Sequence, residues 1–353
     1  MRTKKWVTIW FRILLTAIPI IAIINYIVDP LWIFTHKNNL NTVQKSFNER
    51  QQKTNHIYFN GLEKYDSLLL GSSRTTYINQ NDFHNMSVYN YAFNDSSPHE
   101  FSQFIEFAKE VKGEDFKNII IGADFVATEI PSVVKSKHPE VYINNVKSFA
   151  YKYKTILSFD ALKESIKNIK YSMKGTARVY YDRDNIKYRT KLSEEARLEK
   201  YNYNMNQRLI QSSEGKYHYD NNYLKRFKKI KADNPNSNFL VFTTPVSANL
   251  LVTLLRTNHR FPEYKRWLNE LLEVFGEVHH YMSINTITTN LENYPDAEHY
   301  YPHIAKLLAN KSTNKSNPDI PNDFGIILNK HNVDEFLNKL EIEVNNYNLP
   351  KGQ

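Results

Sequence analysis

Apolar and polar positions fall into distinct regimes along this chain, and each regime predicts a different kind of element. From Trp6 to Val28 the residues are apolar apart from Arg12, a few Thr and Asn25. The uninterrupted part, Ile13–Ile24, is short, but the whole stretch reaches the ~20 residues that a membrane-spanning helix needs. Residues 33–64 then turn polar and read as a stalk joined to an amphipathic stretch. After them come short runs that are apolar throughout. Ser67–Gly71 (Ser-Leu-Leu-Leu-Gly) has the pattern of a strand buried on both faces and ending in a turn. Val88–Phe93 predicts a second strand and Asn118–Gly122 (Asn-Ile-Ile-Ile-Gly) a third. Between those two, Ser97-Pro98-His99-Glu100 reads as a capping box with Pro at the first helical position. Phe101, Phe104, Ile105 and Ala108 recur at helical spacing, and Gly113 follows the end.

The alternation breaks between Pro131 and Ser237, which is rich in Tyr and Lys and shows amphipathic pieces at Ile156–Ile169 and Tyr223–Ile230 but no strong strand. It resumes at Asn238–Thr243. Pro262 opens a helix with Leu268, Leu271, Leu272 and Phe275 on one face and Gly276 after it. Val278–Met282 reads as a fifth strand, and the Asp296–Asn310 segment opens another helix. A polar loop, Ser312–Asp323, precedes a last helix near Val333–Val344. Strand, helix and strand with short connections imply right-handed crossovers and a parallel sheet. The expected fold is therefore α/β: a three-layer, doubly wound, flavodoxin-like parallel sheet with an N-terminal transmembrane helix and a large, mainly helical insertion. The expected divisions are 1–32 (cytoplasmic tip and anchor), 33–64 (stalk), 65–130 with 238–311 (core), 131–237 (insertion) and 312–353 (C-terminal loop and helix).

Charge adds an orientation. Of the net charge of +9, Arg2, Lys4, Lys5 and Arg12 supply four before the first acid, Asp29. Basic residues ahead of the apolar run keep the amino terminus cytoplasmic and send the rest out. No small-x-small site follows the run; Tyr26 and Trp32 do, and these favour a membrane interface, so an uncleaved anchor in the plasma (inner) membrane is expected. The absence of cysteine excludes disulfides, thiolate metal sites and a cysteine nucleophile. No basic recognition helix accompanies the charge, so nucleic acid is not expected as a partner.

In open parallel sheets, ligands bind outside the carboxyl ends of the strands. Three turns occupy such positions: Gly71-Ser72-Ser73-Arg74-Thr75, Phe93-Asn94-Asp95-Ser96-Ser97 and Gly122-Ala123-Asp124-Phe125. A fourth segment, Asp296-Ala297-Glu298-His299, precedes the last sheet-flanking helix. A serine hydroxyl is a weak nucleophile that needs a base within hydrogen-bond reach, and the base needs an orienting acid. His299 and Asp296 suit those roles toward Ser73, and the amide of Ser73 or Arg74 is a natural oxyanion donor. Taken singly, Gly-Ser-Ser is a common loop and Asp-x-x-His a common helix start; their order along the chain carries the reading.

This arrangement resembles the SGNH/GDSL hydrolase superfamily over about residues 67–311, the insertion excepted. The likeness is greater to its membrane-anchored cell-envelope branch, the polysaccharide O-acyltransferases and esterases and the teichoic acid D-alanylation proteins. The family's nucleophile, the Ser of Gly-Asp-Ser, falls on Ser73, with Ser72 in place of the Asp. The Asp-x-x-His pair falls on Asp296 and His299. The family's further oxyanion donors, a Gly after the second strand and an Asn in Gly-x-Asn-Asp, fall on Asp95 and Asp124. A carboxylate cannot donate unless it is protonated. Three alternatives remain: Asn94 supplies an amide, Asp124 points away, or Asp124 is protonated in a dry pocket.

The resemblance implies an extracytoplasmic serine acyl esterase or O-acyltransferase with no metal or organic cofactor. Its expected partners are the bilayer, a cell-envelope glycan or anionic polymer, and a membrane-bound acyltransferase. The alternative is a catalytically silent scaffold of the same assembly. His279 and His280 lie in a strand and are expected to pack; His303 lacks an Asp three residues before it, which favours His299 as the base. Arg74 suits either an anionic substrate group or a local carboxylate. Tyr142, Tyr151, Tyr153, Tyr171, Tyr180 and Tyr181 suit either sugar stacking or the insertion's own core. Lys225, Arg226, Lys228 and Lys229 suit either an anionic surface or solvent.

Overall fold

The computed structural model describes residues 2–45, 48–130, 137–213 and 217–349. The chain divides into two compact units, one of residues 1–62 with 137–190 and the other of 63–136 with 191–353.

The second unit is built on a six-stranded sheet: β1 (Ser67–Leu70), β2 (Val88–Asn90), β3 (Asn118–Ala123), β4 (Asn238–Thr243), β5 (Glu277–His280) and β6 (Ile326–Asn329). Their order is β2-β1-β3-β4-β5-β6. The first five run parallel, and β6 closes the edge antiparallel to β5. β1 and β3 lie side by side, Leu69 opposite Ile120, with every residue of both strands buried. Their unbroken apolar runs follow from that position. β2 is shorter than expected, yet the chain beyond it stays beside β1: Tyr91 N donates to Leu69 O at 2.8 Å and Phe93 N to Gly71 O at 3.2 Å.

The order 2-1-3-4-5 is the flavodoxin-like arrangement, whose topological switch point lies between β1 and β3. The helix Pro98–Lys112 joins β2 to β3, beginning at Pro98 and stopping at left-handed Gly113. Its capping box does not form. Ser97 occupies the N-cap without a side-chain bond, and the first turn closes through Glu100 N to Ser97 O. The helix Phe261–Phe275 between β4 and β5 buries Trp267, Leu268 and Leu271. The β1–β2 connection has no α-helix, only the short 3-10 turns Thr75–Tyr77 and Gln80–Asp82. The helix Pro302–Ser312 packs over these turns, and Asn310 donates to Asp82 O at 2.7 Å.

In the first unit, the helix Arg2–Val28 contains a segment, Lys5–Val28, long and apolar enough to cross a membrane. Residues 33–64 are not an extended stalk. They carry the helix Glu49–Asn60, which buries Gln51, Gln52, Lys53, Thr54 and Asn55. Gln52 and Asn55 donate to Pro30 O and Leu31 O at 2.9 and 2.8 Å, while other groups meet residues 142–187: Gln51 donates to Tyr142 O at 3.3 Å, Asp29 pairs with Arg183 at 2.7 Å, and Glu49 with Lys187 and Tyr181 at 2.8 Å each. A polar sequence reads as solvated when its partners lie far along the chain.

The expected insertion is likewise divided. Residues 137–190 belong to the first unit, with the helices Tyr151–Ile156 and Phe159–Lys174 and a hairpin of Val179–Tyr181 with Lys187–Arg189. Residues 191–237 belong to the sheet-bearing unit. Residues 131–136, where the insertion was expected to open, and the terminal 350–353 lie outside the described residues.

Candidate functional site

Every group of the site comes from the sheet-bearing unit: Ser73 and Arg74 follow β1, Asp124 follows β3, Thr244 follows β4, and the loop before Pro302 and the helix Glu194–Ser213 supply the rest. β1 ends at Leu70, and Gly71 turns the chain into Ser72-Ser73-Arg74. The turn admits no side chain at Gly71 or Gly122: a Cβ at either would stand 2.2 or 2.1 Å from Thr75 Oγ1. Thr75 therefore wedges between the ends of β1 and β3. Asn90, buried at the end of β2, donates to Thr75 O at 3.0 Å and Ile78 O at 2.9 Å, which fixes the chain leaving Ser73. The sequence gives no sign of this role, because an Asn closing a strand carries no signal of which carbonyls it meets.

The Asp296–His299 segment is a loop, not the first turn of a helix; the helix begins at Pro302. The loop is fastened from outside. Ser247 N and Oγ donate to Ala297 O at 3.3 and 3.2 Å, Tyr201 OH meets Ser247 Oγ at 2.8 Å, and Tyr294 OH donates to Val246 O at 3.2 Å.

On this scaffold Ser73 Oγ lies 2.8 Å from His299 Nε2, and His299 Nδ1 lies 2.8 Å from Asp296 Oδ1. Ionised Asp296 only accepts, so Nδ1 carries the proton and Nε2 is left as the acceptor facing Ser73. Asp296 Oδ1 also accepts the amides of Glu298 (3.1 Å) and His299 (2.9 Å). Its Oδ2 accepts Lys200 Nζ at 2.8 Å. Burial alone would raise the Asp296 carboxyl, but the hydrogen bonds and charges of His299 and Lys200 hold it well below the usual carboxylate range.

Arg74 and Asp124 form a second layer beneath Ser73. Asp124 is 3 % exposed; it accepts hydrogen bonds from the hydroxyls of Ser72 and Thr244 and pairs with Arg74 Nη1 at 3.3 Å. Both oxygens of Asp124 are thus taken by Ser72, Thr244 and Arg74. Arg74 Nε donates to Glu298 O at 2.7 Å, and Glu298 in turn binds Arg208 Nε at 2.7 Å. Burial would lower the Arg74 guanidinium, but the carboxylates of Asp124 and Glu298 outweigh it and raise it. Arg74 is thus engaged by local carboxylates. Asn94 and Asp95 are exposed, and Asp95 takes a left-handed backbone with φ 54°. The backbone amides of Ser73 and Arg74 have no hydrogen-bond acceptor among the described residues. Two adjacent amides at such a turn form a ready anion cradle.

Lys200 and Arg208 were not anticipated. Both lie on the helix Glu194–Ser213, inside a stretch whose lysine-rich composition reads as surface. The remaining candidates sit elsewhere. His303 Nε2 faces Asn293 Oδ1 at 3.3 Å. His280 is fully buried between Thr243 Oγ1 and Tyr264 OH, and burial pushes it down to about 3 against the Met282 carbonyl. His279 is near Glu277 at 3.6 Å. Among the described residues no group of three or more His, Asp or Glu is arranged to hold a metal.

The Tyr223–Ala232 helix buries Tyr223 and Phe227, while Arg226, Lys228 and Lys229 pair with Asp220, Glu273 and Asp233. Its basic face is therefore largely neutralised. In the other unit Tyr142 and Tyr181 are buried, Tyr180 stacks on Tyr188 at 5.0 Å and Tyr153 is exposed. No family model, no curated protein and no solved structure matches this chain.

Proposed function

We propose that the sheet-bearing unit is an SGNH-type serine hydrolase domain, held outside the cytoplasm by the N-terminal helix. In this reading it acts as an acyl esterase or O-acyltransferase on a cell-envelope polysaccharide. The observation that carries the reading is the unbroken chain Ser73 Oγ–His299 Nε2, His299 Nδ1–Asp296 Oδ1, with 2.8 Å at each link. Such a relay fits a nucleophile, a general base and an orienting acid.

In the first step Ser73 Oγ attacks the acyl carbonyl carbon while its proton passes to His299 Nε2. Asp296 stabilises the imidazolium, and the amides of Ser73 and Arg74 donate to the developing oxyanion. Collapse of the tetrahedral intermediate breaks the ester C–O bond. The departing alcohol takes the proton from His299, leaving an acyl-Ser73. Water or a sugar hydroxyl then attacks the acyl-Ser73 in the reverse sequence, giving hydrolysis or transfer. Arg2, Lys4, Lys5 and Arg12 ahead of the apolar run support an extracytoplasmic location for the domain.

A silent scaffold in the same assembly is favoured by one observation. The position where the family carries a donating Asn holds Asp124, which is committed to Ser72, Thr244 and Arg74. The two readings separate when the full-length protein in detergent is incubated with O-acylated envelope polysaccharide. Release of carboxylic acid, or its transfer to an added glycan, by wild type and not by Ser73→Ala supports the enzyme. A folded wild type that does neither supports the scaffold.

A further inference from the structure

We infer that Ser148–Phe159 of the first unit is a membrane-contact element, seated in the headgroup–acyl boundary of the bilayer that the helix Arg2–Val28 crosses. The inference rests on reading that helix as a membrane span.

The segment exposes an unusual amount of bulky apolar surface. Phe149 is 96 % exposed, Phe159 69 %, Tyr153 65 % and Leu157 47 %. Scattered exposed apolar residues need no explanation, but a cluster of large ones within twelve positions marks a contact surface. What it contacts follows from where it is fastened. Asn25 Nδ2 donates to Ile156 O at 2.8 Å and Ser158 O at 3.0 Å, and Asn25 Oδ1 accepts from Ser165 Oγ at 2.9 Å. The helices Tyr151–Ile156 and Phe159–Lys174 both pack on Arg2–Val28. Ile21, Asn25 and Val28 are buried, one face of that helix, whereas Trp6, Leu15, Ile20 and Ile23 are open.

The rise of the helix sets the depth. At 1.5 Å per residue, Trp6 to Asn25 spans about 29 Å, matching a hydrocarbon core of about 30 Å. Asn25 therefore stands at the far boundary, and the segment bonded to it stands at the same level. Aromatic rings with polar tips, such as those of Tyr26, Tyr151 and Tyr153, are the residues that favour this zone. Charge agrees: Lys147, Lys152 and Lys154 lie in or beside the segment, and no acid occurs between Glu140 and Asp160. Lysines at that depth favour anionic lipid headgroups. Continuity with the span and this basic character together single out lipid, not a protein, as the occupant.

The chain has no cysteine, so single-cysteine variants of the full-length protein can each carry one nitroxide label. The probe is accessibility to oxygen and to an aqueous nickel chelate, in vesicles of zwitterionic lipid with a quarter anionic lipid. Phe149→Cys and Phe159→Cys are compared with Ile20→Cys in the span and Ile342→Cys on the sheet-bearing unit, where Ile342 is 62 % exposed. The expected result is an oxygen-to-nickel ratio at 149 and 159 several-fold above that at 342, approaching that at 20. A water-like ratio at 149 and 159 with a lipid-like ratio at 20 overturns the inference and leaves the span intact. Protection from both reagents at 149 and 159 indicates a protein contact and also overturns it. A water-like ratio at 20 removes the span and the inference together.

Discussion

At the residue scale, the chemistry turns on one carboxylate. Asp296 offers one oxygen to His299 Nδ1 and two backbone amides and the other to Lys200. The first oxygen sets the tautomer that leaves Nε2 free to take the Ser73 proton. Asp296→Asn keeps the shape but removes the charge and permits the wrong tautomer. The rate of acylation by a reactive ester should fall on the order of 10³–10⁴-fold with unchanged circular dichroism. Lys200 acts through Asp296, as a positioning residue. Its ammonium offsets part of the carboxylate's negative charge, so Lys200→Met leaves a more negative site that stabilises imidazolium. The acid limb of the pH–rate profile should then move to higher pH, and Lys200→Arg should restore it. An unmoved limb would give Lys200 a merely structural part.

At the element scale, the site depends on how closely the ends of β1 and β3 approach through Thr75. Gly122→Ala brings a methyl group within 2.1 Å of Thr75 Oγ1 and should cost about 1–3 kcal/mol, read from urea unfolding. Adding Thr75→Ala removes the obstructing atom and should recover part of that loss. β1 and β3 were legible because Leu68–Leu70 and Ile119–Ile121 are uninterrupted apolar runs, each followed by a glycine. The edge strand β6 was not legible: it has four residues, of which Leu328 alone is buried. The start of the last sheet-flanking helix is not legible either. Asp296 looks like a helix cap, but its oxygens bind a loop turn and two side chains, and Pro302 sets the true start.

At the scale of the whole molecule, the triad candidates were legible because motif order along the chain survives folding. Division of the chain into units was not, because it depends on polar side chains with distant partners. Glu49, Lys53, Arg183 and Lys187 read as surface in sequence and form an interior in the first unit. This interior has a pH signature. Burial, aided by Lys187 and opposed by Glu49, pushes the Lys53 ammonium from 10.5 down to about 7. Between those values the unfolded chain holds a proton that the folded chain lacks, so this group makes stability rise with pH across the window. Below about 7 both states are protonated and its slope vanishes. Thermal midpoints of the first unit should climb from pH 7 toward 10 in wild type, and Lys53→Met should flatten that climb.

The central claim is that Ser73 is a nucleophile activated by His299. It is tested most directly by incubating full-length protein with a fluorophosphonate probe and locating the adduct by peptide mass. The account predicts phosphonylation at Ser73 in wild type and none in Ser73→Ala or His299→Ala, each still folded. An unlabelled wild type, or labelling that persists at another serine in Ser73→Ala, would contradict it.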